Sequence, residues 1–127
     1  MASKARDQEG YLRFLYYLDE TGLDVELRAI CLRHHVTPRD VYLDTRGPTV
    51  HAARLEIWWW LTQTIGKSTG EVGRIFDREG PSITHAIRRL REVAAAMGHE
   101  LDATSAPSVA RGVALSGRYV GRVIKGT

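Results

Sequence analysis

A chain of 127 residues, 43% of them hydrophobic, suits one domain with a core of useful size. It carries a formal net charge of +3, a single cysteine and no apolar run near the roughly eighteen residues that a membrane span needs. These features exclude an internal disulfide framework and a transmembrane helix, and the charged N-terminus argues against a signal peptide, so a cytoplasmic protein is expected.

The hydrophobic periodicity is helical almost throughout, predicting an all-α fold. Residues 8–21, with Tyr11, Leu12, Phe14, Leu15, Tyr16, Tyr17 and Leu18, form a first helix stopped by Gly22, an accessory unit over residues 1–23. Asp24 reads as the cap of a second helix to about His35, with Leu27, Ile30, Cys31 and His34 on one face. Thr37-Pro38-Arg39-Asp40 resembles a capping box and opens a short helix through Leu43. Residues 44–49 form a loop, and a long helix runs from about Val50 to Ile65 before Gly66.

That helix contains Trp58-Trp59-Trp60. Neighbours on a helix point about 100° apart, so at least one tryptophan is expected to be half exposed; core filling explains most of the run, and an exposed tryptophan serving a partner or dimer contact is the lesser alternative. Ser68-Thr69-Gly70-Glu71 is a second capping-box pattern. Gly80-Pro81-Ser82 starts the last strong helix, with Ile83, Ala86, Ile87, Leu90, Val93, Ala94 and Met97 inward and Gly98 at its end. Beyond Asp102 the composition fits a flexible tail, a basic amphipathic helix or a hairpin around Ser116-Gly117. Gly112, Gly117 and Gly121 favour a basic, flexible tail over residues 100–127.

Charge is unevenly spread. Residues 1–45 hold six basic and eight acidic side chains; residues 46–91 hold eight and four. From residue 103 onward there are four basic residues and no acidic one. The basic excess thus coincides with Val72–Leu90, which reads as two short amphipathic helices around a polar turn. A helix-turn-helix presents its second helix to the DNA major groove, with small polar residues leading and basic residues following. A solvated basic face would give the same pattern. Adjacent His34 and His35 point apart and have no second ligand cluster, so no metal is expected. No nucleophile, phosphate-loop or paired-acid signature indicates an enzyme.

The segment from about Val25 to Ala95 resembles domain IV, the DNA-binding domain of the bacterial replication initiator DnaA. Val72-Gly73, Phe76, Arg78, Pro81-Ser82-Ile83, His85-Ala86 and Arg88-Arg89-Leu90 carry the likeness, with His35–Val41, Arg54 and Gly66-Lys67-Ser68 upstream. The resemblance implies a helix-turn-helix bundle like DnaA domain IV or Trp repressor over residues 24–99, standing alone without an ATPase. It further implies binding to double-stranded DNA without a cofactor, as a nucleoid-associated bacterial or phage protein. Glu79, Ser82 and Thr84 would face the major groove and Arg54 the minor groove, with Arg46 of the basic loop near a flanking phosphate or the minor groove. Lys67, Ser68, Arg78, His85, Arg88 and Arg89 would hold phosphates.

The departures lie at Glu79-Gly80-Pro81, where the family reads bases with Asp-His-Thr, and at the thin basic loop Arg46-Gly47-Pro48-Thr49. A transcriptional regulator is the expected role. Two alternatives stand beside it: an accessory or competing factor in replication initiation, and an interaction module holding a polymerase or replication protein through Trp58–Trp60 or the basic tail.

Overall fold

The computed structural model describes residues 2–43 and 45–115, with side chains from residue 7 onward. The described chain is all-helical, with no strand among those residues. Helices α1 (Ala2–Thr21), α2 (Asp24–Arg33) and α3 (Pro38–Leu43) precede α4 (Pro48–Trp59), which runs into a π turn over Trp60–Thr64. Then come α5 (Thr69–Ile75), α6 (Gly80–Ala96) and α7 (residues 106–115).

α4 is the central element. Every residue from Ala52 to Leu61 is buried, and α4 packs against α2, α3 and α6. A helix that is apolar around most of its circumference must be enclosed on all sides. Enclosure explains the tryptophans: Trp58, Trp59 and Trp60 are only 5%, 8% and 8% exposed. The expectation of a half-exposed tryptophan, and with it a tryptophan surface for a partner, is therefore corrected. α1 also belongs to this core rather than beside it, since Phe14 and Leu18 are fully enclosed. A row of rings joins three elements and the turn after α5. Phe14 lies 5.0 Å from Tyr42 and 5.1 Å from Phe76, and Phe76 meets Trp58 edge-on at 6.0 Å.

Local signals set most boundaries. At α3 the Asp40 N–H donates to Thr37 Oγ1 at 3.1 Å, and the Thr37 N–H donates back to Asp40 at 3.0 Å. That backbone bond holds the Asp40 carboxyl below its ordinary value. Asp24 is not the cap expected of it: Leu23 occupies that position, and Asp24 instead pairs with Arg28 at 2.9 Å one turn on. α2 ends in a Schellman arrangement, with Val36 N–H on Cys31 O and His35 at φ 59°. Burial pushes the Cys31 thiol up to about 12, consistent with a small core residue. Met97, expected inward, is 42% exposed.

The tail expectation is corrected for residues 102–115. Asp102 accepts from the Thr104 and Ser105 N–H groups at 2.9 Å, and its own N–H donates to Ser105 Oγ at 3.0 Å. This reciprocal cap opens a helical segment whose Ala106, Val109, Ala110, Val113 and Ala114 are buried. Gly112, which reads as a helix breaker, faces α6. A β-carbon there would lie 3.3 Å from the Met97 sulfur and 3.4 Å from a Val93 methyl. Residues 116–127, including Arg118, Arg122 and Lys125 and the hairpin considered around Ser116-Gly117, lie outside the described residues.

Candidate nucleic-acid interface

The polar surface built on α5 and α6 starts at the exit from the π turn. Thr62 Oγ1 donates back to Trp58 O at 2.9 Å, and the widened turn closes through Ile65 N–H on Trp60 O at 3.0 Å. Gly66 then takes φ +88°, a left-handed value that turns the chain toward Ser68. Ser68 Oγ accepts from Glu71 N–H at 3.1 Å while Glu71 accepts from Ser68 N–H at 3.0 Å. The capping box expected from sequence is complete, and the Ser68 N–H holds the Glu71 carboxyl below its usual range. Lys67 lies over the Tyr17 ring at 5.8 Å; a side-chain hydrogen bond with Tyr17 raises its pKa.

α5 closes on a second Schellman arrangement. The Arg78 N–H donates to Gly73 O at 2.6 Å, and Asp77 occupies the left-handed position at φ 55°. Aspartate is among the few non-glycine residues that tolerate this region. Gly73 is required here because the returning chain lies against it: a β-carbon would stand 2.5 Å from the Arg78 carbonyl oxygen. The leading ends of α5 and α6 also touch through glycines, since a β-carbon on Gly80 would lie 3.5 Å from the Gly70 α-carbon.

α6 divides cleanly into two faces. Ile83, Ala86, Ile87, Leu90 and Ala94 are buried, while Ser82, Thr84, His85, Arg88 and Arg91 are exposed. Thr84, His85 and Arg88 line a groove with Thr69 and Gly70 of α5. The groove continues past Arg88 to Gln63 and Arg91, where Arg91 donates to Gln63 Oε1 at 3.2 Å. Thr84 Oγ1 donates to Gly80 O at 3.2 Å, which leaves its lone pairs to accept from outside. Gln63, Thr69 and Arg91 belong to this surface and were missed. Arg91, three residues after Arg88, was the legible one.

The remaining sequence candidates divide. Ser68 and Glu79 are exposed and Lys67 half-buried near the leading ends of α5 and α6; Glu79 occupies the cap position without a side-chain cap bond. Arg89 is half-buried and lies 3.9 Å from Glu92. Arg78 is half-buried in the turn, near Tyr42, whose phenol burial pushes above its ordinary pKa. Arg46 is exposed before α4, and no described contact joins it to the α6 groove.

Arg54 is the clear correction. It is 5% exposed; its Nε donates to Val41 O at 3.2 Å and its guanidinium sits 5.9 Å from the Trp58 ring. It ties α4 to α3 from inside the fold and does not reach outward to a minor groove. No group of three or more metal-ligating side chains occurs among the described residues, and no described helix is long and apolar enough to cross a membrane. Comparison with protein-family models, curated proteins and solved structures finds no match to this chain.

Proposed function

We propose that the chain binds double-stranded DNA, with α5 and α6 acting as a helix-turn-helix of the DnaA domain IV kind and α6 entering the major groove. The observation that carries this reading is the α6 stripe Pro81, Thr84, His85, Arg88 and Arg91. These positions repeat every three or four residues on an exposed edge whose opposite face is core. Small polar groups lead and cations follow, the order in which a recognition helix meets base edges and then phosphates. Ser82 and Thr84 read bases, with Thr84 acting as acceptor. Lys67, His85, Arg88, Arg89 and Arg91 hold phosphates. Exposed Glu79 turns away strands that crowd its carboxylate. The role most consistent with such a reader, lacking any nucleotide-binding loop, is a transcriptional regulator.

Selection of bound sequences from random duplexes tests this. A single enriched motif is expected, and Arg88→Ala should weaken binding to all sequences alike. Thr84→Ala should instead change the preferred base at one position, a discrimination of about 1–3 kcal/mol. Recovery of no motif together with no loss from Arg88→Ala would exclude the assignment.

A further inference from the structure

The slot at the far end of the α6 groove, about 290 Å³, has Gln63, Thr69, Thr84, Ile87, Arg88 and Arg91 for walls. Two guanidiniums share it, and none of its lining residues is a carboxylate. Elsewhere on the described chain arginines stand against acids: Arg13 by Glu9, Arg28 on Asp24, Arg33 on Glu56 and Arg89 near Glu92. Arg91 is held differently. Its Nη2 donates at 3.2 Å to Gln63 Oε1, a neutral acceptor, while Gln63 Nε2 is itself anchored on Thr62 Oγ1 at 3.1 Å. Thr62 in turn donates to Trp58 O at 2.9 Å, so the relay runs back into the π turn.

An amide oxygen orients a guanidinium without cancelling its charge, whereas a carboxylate would do both. Arg91 therefore keeps its charge, and its remaining N–H groups can fork onto an oxyanion. Arg88, one turn back on α6, makes no hydrogen bond or ion pair with another described residue. The Thr69 hydroxyl is likewise uncommitted among the described residues, whereas that of Thr84 is taken by Gly80 O. We propose that Arg88, Arg91 and the Thr69 hydroxyl seat a single phosphate of the DNA backbone, and that Gln63 is the positioning residue that holds Arg91 toward it. The seat presupposes duplex binding by α5 and α6. It adds a residue from the π turn, a helix irregularity that recurs at functional sites, and it fixes how far α6 stands along the groove.

Titration of a short mixed-sequence duplex at several salt concentrations tests it, comparing the full chain with Gln63→Ala, Gln63→Glu, Arg91→Ala and the Gln63→Ala with Arg91→Ala double variant. Both side chains are exposed, and circular dichroism checks folding. Gln63→Ala should lower affinity roughly fivefold, the contribution of one hydrogen bond, at an unchanged salt slope. Gln63→Glu should lower affinity and also make the slope shallower by about one, because its carboxylate cancels the charge of Arg91. Arg91→Ala should make the slope shallower by about one. Adding Gln63→Ala to it should then cost less than about twofold, since Gln63 acts only through Arg91. With a steep parent slope, three results would each overturn the seat and leave DNA binding standing: no loss in Gln63→Ala, a Gln63→Ala loss undiminished in the Arg91→Ala background, or a Gln63→Glu slope equal to the parent's. A flat parent titration would overturn both.

Discussion

Glu56→Ala should destabilise the protein by about 3 kcal/mol, read as a lower urea midpoint at unchanged slope. The carboxylate lies between His34 and Arg33, and removing one member of a buried ion pair leaves the other without its counter-charge. That loss typically costs about 3–5 kcal/mol. The lower end is expected here because Arg33 is half in water and keeps its hydration. Truncating a side chain that is 3% exposed also leaves a void in α4. The double substitution His34→Leu with Glu56→Met should recover most of the loss, since replacing both partners with apolar groups of similar volume is often neutral. A single-variant loss under about 1 kcal/mol would show that the network does not support the fold.

Gly73→Ala should cost about 3 kcal/mol, the upper end for an overpacked site. The added methyl would meet the Arg78 carbonyl at 2.5 Å, and that atom is backbone in a tight turn rather than the free end of a side chain. Relief requires opening the Arg78 N–H to Gly73 O bond, which fixes α6 against α5. DNA affinity should fall with stability, because the groove residues of α5 and α6 would no longer share one surface. Gly70→Ala is the control in the same helix. A β-carbon there meets nothing nearer than 3.7 Å, so alanine should be neutral or gain up to about 1 kcal/mol from helix propensity. Equal effects at the two glycines would contradict the close approach assigned to Gly73.

The parts of this structure that were legible in sequence are the ones decided locally. Thr37 with Asp40 and Ser68 with Glu71 each satisfy their helix starts within four residues, and both capping boxes appear where the spacing puts them. The two faces of α6 were likewise visible from periodicity alone. What was missed depends on contacts distant in sequence. Arg54 and Glu56 read as polar positions that a helix would leave in water, and only the enclosure of α4 on all sides buries both. The same enclosure buries all three tryptophans.

Residues 102–115 show a different failure. Ala106, Val109, Ala110, Val113 and Ala114 repeat at helical spacing, and Asp102 with Ser105 is a cap, so the signal was present. Gly112 counted against a helix on propensity, yet its missing side chain is what lets this segment approach Val93 and Met97. A propensity penalty of about 1 kcal/mol was outweighed by packing that the sequence does not display.

The central claim is that the α6 edge grips duplex DNA through phosphate contacts, and the salt dependence of binding to a duplex tests it most directly. With about four phosphates neutralised by groups such as Lys67, Arg88, Arg89 and Arg91, log affinity should fall against log salt with a slope near −3.6. That slope corresponds to a loss of roughly a hundredfold between about 50 and 200 mM salt, and Arg88→Ala should make it shallower by about one. Duplex affinity that is flat across this range, or a slope unchanged by Arg88→Ala, would contradict the account.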